Sequence, residues 1–104
     1  MPSAYGHPVA PLIRRRVIVS GEVQGVFFRD TCRRTAVEHG VAGWVRNRPD
    51  LRVEAVFEGC EGAVRRMVEW CRHGPRQATV TDVDIRDEQP EGLVGFSIRD
   101  GWSE

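Results

Sequence analysis

A change of hydrophobic period limits this chain more than any other feature. Arg16-Val17-Ile18-Val19-Ser20 is a β-branched run that reads as a strand ending at Gly21. From Phe28 the apolar residues Phe28, Cys32 and Ala36 recur every four positions, the spacing of one helix face. Between the two runs lies a loop, Gly21 to Phe27, that holds Gly21 and Gly25. Gly40 stops the predicted helix as a C′ glycine, with His39 in its last turn.

The alternation continues along the chain. Val41 to Asn47 reads as a second strand, with Val41, Gly43 and Val45 alternating against Ala42, Trp44 and Arg46. Pro49-Asp50 signals a turn. Val53, Ala55 and Phe57 then line one face of a third strand, while Glu54 and Glu58 face the other way. A second helix is predicted from about Glu61 to His73, with Val64, Met67, Val68 and Cys71 as its apolar stripe and Gly74-Pro75 as its stop. Thr79 to Ile85 reads as a fourth strand and Val94 to Arg99 as a shorter fifth.

This order, βαββαβ plus a short C-terminal strand, predicts an α+β protein of the split β-α-β, or ferredoxin-like, plan: two helices on one face of an antiparallel sheet. Residues 14–100 form the expected domain. Residues 1–13, with Pro2, Pro8 and Pro11 and no apolar stretch of signal-peptide type, read as a disordered leader, and residues 101–104 as a short tail. The plan hosts RNA-binding modules, regulatory modules and enzymes alike, so function has to be argued from a site.

Composition narrows the partners. Fifteen basic residues offset fifteen acidic ones, which leaves no general attraction toward nucleic acid or an anionic membrane. No apolar run approaches the roughly 20 residues of a membrane span. Cys32, Cys60 and Cys71 are odd in number and contain no C-x-x-C pair, which argues against a disulfide framework and a structural zinc site and for reduced thiols in a cytoplasmic protein. A monomer is the default for one domain of this size.

Two residues draw attention. A loop that ends at a helix N-terminus presents backbone N–H groups without partners, and with the helix dipole these form an anion site. Arg29 lies in the first helical turn, where a cation is disfavoured by about 0.3–1 kcal/mol unless an anion binds there. It reads either as a surface arginine or as a fork that grips a phosphate. Asn47 closes the second strand before Arg48-Pro49-Asp50. It reads either as a turn cap or as a carboxamide able to hold a water and an anion at once. In a split β-α-β sheet that strand end can lie beside the loop after the first strand.

Other polar and aromatic residues invite plainer readings. His7, His39 and His73 read as surface or capping residues, and Trp44 and Trp70 as packing. Arg14-Arg15-Arg16 reads as a solvated strand edge rather than a nucleic-acid patch.

The stretch Val19-Ser20-Gly21-Glu22-Val23-Gln24-Gly25-Val26-Phe27-Phe28-Arg29 resembles the first signature of the acylphosphatase family, and Gly43-Trp44-Val45-Arg46-Asn47 resembles the second. The likeness runs from about residue 14 to 100. It implies hydrolysis of the carboxyl–phosphate bond of an acyl phosphate by water attack on phosphorus, with no metal and no cofactor. It further implies that Arg29 and the loop backbone at Glu22, Val23, Gln24, Gly25, Val26, Phe27 and Phe28 bind the phosphoryl group, and that Asn47 orients the water. One departure stands out: Leu51 occupies a turn position where the family usually has glycine, and a left-handed leucine costs about 1–2 kcal/mol. Cys60 also sits near the second helix's N-cap, where Ser, Thr or Asp would cap better.

Two rivals share the plan. An RNA-binding module would need sheet-face aromatics in a run and a basic surface, and Phe57 alone does not supply them. A non-catalytic binding or regulatory module is the alternative reading. The acylphosphatase-like region of hydrogenase-maturation carbamoyltransferases is its nearest type, but those proteins continue into cysteine-rich zinc motifs that this sequence lacks.

Overall fold

A computed structural model describes residues 11–100. The expected leader up to residue 10, His7 within it, and the tail 101–104 lie outside the described residues. The elements are β1 (Leu12–Glu22), α1 (Phe28–Glu38), β2 (Ala42–Asn47), β3 (Val53–Cys60), α2 (Glu61–Cys71), β4 (Thr79–Glu88) and β5 (Phe96–Arg99). β1 starts at Leu12, so Leu12 and Ile13 belong to the sheet rather than to the leader. β1 and β4 both run longer than their apolar cores suggest, because the flanking residues pair along the ladder whatever their side chains.

The strand order is β4-β1-β3-β2-β5. β1 pairs antiparallel with β3 and β4, and β2 with β3, as the split β-α-β plan requires. β5 adds to the outer side of β2 in parallel, which makes the five-stranded sheet mixed. Local periodicity carries no information on that pairing.

Odd-numbered positions of β1 and β3 face the helices. Val17, Val19, Val53, Ala55 and Phe57 are fully buried against Phe28, Cys32 and Ala36 of α1 and Val64, Met67 and Cys71 of α2. The side chains in this layer each contribute up to about 1.5–3 kcal/mol on burial. Phe28 also meets Trp70 edge-on at 5.0 Å between ring centroids. Cys32 and Cys71 are buried free thiols, and Cys60 is an exposed one. Burial pushes the two buried thiols well above the ordinary range, which leaves them unreactive.

The opposite face of the sheet corrects one expectation. Arg14-Arg15-Arg16 is not a solvated edge, because β1 lies inside the sheet between β4 and β3. Arg14 is only 4% exposed and donates to Glu58 on β3 and Glu88 on β4, both at 2.8 Å. Arg16 pairs with Glu54 and Glu88. Glu58 also accepts from the backbone N–H groups of Glu91, Gly92 and Leu93, and so ties down the connection toward β5. Burial disfavours charge on Glu58, yet Arg14 and the Glu91 and Leu93 N–H groups outweigh it and hold its carboxyl below the usual value. Trp44, 5% exposed, packs on this face beneath Arg46 and Arg99, whose guanidinium carbons lie 4.9 and 4.4 Å from its ring centroid.

Candidate active site

The loop between β1 and α1 is anchored at both ends. Val23 and Phe28 are 1% and 2% exposed and insert into the core. Gly21 belongs to β1, at a register shift between Ser20 and Gly21, and a side chain there would strike the Thr79 carbonyl of β4. Its role is close strand approach rather than curvature of the loop. Gly25 supplies the curvature, with φ +75° and open space beside it. Phe27 then enters the helix with φ 65°, a left-handed conformation that only glycine adopts without strain, and its ring is 71% exposed. Phe27 has no side-chain acceptor, so the N-cap satisfies none of the first-turn N–H groups of α1.

A pocket of about 390 Å³ opens at this junction. Val23, Gly25, Phe27, Phe28 and Arg29 form the loop and helix side of its wall, and Asn47 at the end of β2 forms part of the other. Arg29 and Asn47 therefore line one space. The Arg29 side chain is about one-third exposed, and its Nη1 lies 3.7 Å from the exposed Asp100 carboxylate. The Asn47 Oδ1 is buried and has no hydrogen-bond partner. An orphaned buried acceptor of this kind is uncommon and calls for a donor from outside the chain.

Three residues of the predicted loop do not line the pocket. Glu22 is the last residue of β1, opposite Thr79. Val26 leans on the core. Gln24 turns its side chain outward to the β2–β3 turn, where Nε2 donates to the carbonyls of Arg48 and Arg52, both at 2.9 Å. The structure also adds wall residues the sequence reading missed. Asp30 lines the pocket from α1 while paired with Arg34 at 3.2 Å, and Ile98 and Asp100 arrive from the β5 end. Nothing local marks Ile98 and Asp100, since they reach the pocket only through the parallel pairing of β5 with β2.

Leu51, at φ 72° and 70% exposed, does take the left-handed turn conformation. Its N–H donates to the Arg48 carbonyl at 3.1 Å, so the turn is closed despite the strain. A wider depression of about 580 Å³ lies on the charged face of the sheet, among Arg16, Glu54, Asp84 and Arg86. Its charges are engaged with each other, Arg16 with Glu54 and Arg86 with Asp84, which leaves the smaller pocket as the better candidate.

Fold and pocket together define a small α+β domain with a pocket at a strand–loop–helix junction, lined by Arg29 and Asn47. Residues 15–98 match the family model described as acylphosphatase. The chain belongs to the acylphosphatase family, and acylphosphatase is the enzyme activity of its named relatives. It is 52% identical over 90 residues to an acylphosphatase of Gloeobacter violaceus, a match that covers 86% of this chain and 97% of the relative. The structure is similar to acylphosphatases of Bacillus subtilis (41% identity, TM-score 0.81, 84% of this chain and 98% of the other) and Coxiella burnetii (38%, 0.81, 85% and 93%). Among the described residues, no helix is long and apolar enough to cross a membrane.

Proposed function

We propose that this pocket takes the phosphoryl group of an acyl phosphate and hydrolyses its carboxyl–phosphate bond, with Arg29 and Asn47 in the roles their chemistry suits. The Arg29 guanidinium and the N–H groups of the pocket-lining loop residues Val23, Gly25, Phe27 and Phe28 hold the phosphoryl oxygens. A phosphate replaces the exposed Asp100 carboxylate as the partner of Arg29 and offers it two charge-assisted hydrogen bonds. Asn47 accepts a hydrogen bond from the attacking water through Oδ1 and aims the water oxygen at phosphorus, and the water's protons leave with the inorganic phosphate. The water oxygen bonds to phosphorus, the bond to the acyl oxygen breaks, and carboxylate and inorganic phosphate leave. The observation that supports this assignment is the buried Asn47 Oδ1 without a partner, on a residue that lines the same pocket as Arg29.

So sparse a site suffices because a carboxylate is a good leaving group. Its conjugate acid has a pKa near ~4, so it departs without a proton from a general acid. Positioning and stabilisation of the phosphoryl charge remain, and the arginine, the amides and the carboxamide supply both. The neutral overall charge and the free thiols support a cytoplasmic enzyme that acts on a small molecule rather than on nucleic acid or membrane, and a monomer is the default for one domain of this size.

The test is phosphate release from benzoyl phosphate in the presence of chelator. Asn47→Ala should lose turnover while inorganic phosphate still inhibits with near wild-type affinity. Arg29→Ala should lose both turnover and phosphate inhibition, and an ordinary alkyl phosphate should remain uncleaved by the wild type. Turnover retained by Asn47→Ala would remove the water-positioning role.

A further inference from the structure

We infer that the Gln24 side chain is a positioning residue for the water-bearing carboxamide: it ties the phosphate loop to the turn that follows Asn47. The inference rests on the role proposed for Asn47. It follows from a single nitrogen, Gln24 Nε2, which spends both protons on the two ends of one turn, the carbonyls of Arg48 and Arg52. Arg48 is the residue after Asn47, and Arg52 precedes Val53, the register partner of Asn47 on β3. The two bonds therefore clamp both arms of the hairpin one residue beyond the Asn47–Val53 pair, on its turn side.

The loop does not need this tie for its own shape. Val23 and Phe28 fasten its two ends in the core. The turn has no anchor in the core: the Arg48–Asp50 ion pair and its own backbone bonds close it but do not fix it to the loop. Asp50, Leu51 and Arg52 are exposed, and Leu51 carries left-handed strain. Loss of the tie should therefore loosen the turn and the aim of Asn47 while the phosphate cradle survives.

Stability should change little as well. The Arg48 carbonyl also accepts from the Leu51 N–H at 3.1 Å, and the Arg52 carbonyl from the Arg48 N–H at 2.8 Å. Without Gln24 neither carbonyl is left without a partner, so the cost is that of two exchangeable hydrogen bonds rather than of a buried orphan. A catalytic loss larger than the stability loss is the signature of positioning, because a misplacement of about 1 Å can cost on the order of a hundredfold in rate.

The experiment measures kcat on benzoyl phosphate, competitive inhibition by inorganic phosphate and the thermal midpoint for Gln24→Met, which keeps the length and removes the donors. The expected result is a kcat lower by about tenfold or more, a phosphate inhibition constant within about twofold of wild type and a midpoint within a few degrees. Gln24→Leu, close in volume, uncharged and without a donor, should behave the same way. Wild-type kcat in either variant overturns the inference, and so does a parallel loss of kcat and phosphate affinity, which would mean that Gln24 shapes the loop itself. Asn47→Ala is assayed alongside. If it is inactive while Gln24→Met is active, the positioning inference alone fails. If it retains turnover, the role of Asn47 fails and the positioning inference with it.

Discussion

The two helix starts of this molecule differ sharply in what surrounds them. α1 and α2 both begin without a side-chain cap, and both carry an acidic residue in the first turn, Asp30 and Glu61. At α2 the strand runs directly into the helix through Cys60 in an extended conformation, and Cys60, Glu61 and Gly62 are all exposed. At α1 a curled loop intervenes, Phe27 enters in a left-handed conformation, and a strand end whose carboxamide oxygen has no partner lines the same pocket. A bare helix N-terminus is ordinary. Convergence of an arginine, open amides and a second element on one space is what makes α1 a candidate site.

That contrast can be broken most directly at the two first turns. Arg29→Ala should lower kcat/KM on an acyl phosphate by about a hundredfold to a thousandfold, since removal of one charge-stabilising donor costs ~3–4 kcal/mol. Glu61→Ala, at the start of α2, should leave kcat/KM within about twofold. A large effect at Glu61 or a small one at Arg29 would erase the distinction.

Strain sharpens the comparison in a second way. Phe27 and Leu51 share nearly the same left-handed φ, 65° and 72°. Phe27 borders the pocket, whereas Leu51 sits at an exposed turn tip where its side chain gains little. Leu51→Gly should therefore stabilise the protein by about 1 kcal/mol, the left-handed penalty less the extra freedom of an unfolded glycine. Urea unfolding reads this directly, and an unchanged or lower midpoint would show that the turn is not strained. The smallest effect is expected at the uncapped start of α2. Cys60→Ser places an acceptor at the N-cap and should add up to about 1 kcal/mol in the same assay, with kcat unchanged. A kcat that falls with Cys60→Ser would tie α2's start to the site.

Much of this was legible in the sequence. The stripe Phe28, Cys32, Ala36 and the stripe Val64, Met67, Val68, Cys71 are the buried faces of the two helices. The alternation of Val53, Ala55 and Phe57 against Glu54 and Glu58 correctly divides the faces of β3. The left-handed Leu51 and the uncapped Cys60 were visible as departures from residue preference. The Arg14-Arg15-Arg16 run was misread because three adjacent cations look solvated unless their partners are known. Those partners, Glu58 and Glu88, stand 44 and 74 positions away along the chain.

The amino-acid order alone determined the elements, their apolar faces and the family, and it singled out Arg29 and Asn47, which line one pocket. Each follows from short-range spacing or from a local motif. Only the tertiary structure decided the parallel docking of β5, which brings Ile98 and Asp100 to the pocket, the buried charge lattice around Arg14, and the Gln24 clamp on the turn beside Asn47. These depend on strand order and on contacts between residues far apart in the chain. Backbone and side-chain partners at that distance leave no periodic trace in sequence, because the hydrogen-bonding groups that join them are the same wherever the strands lie.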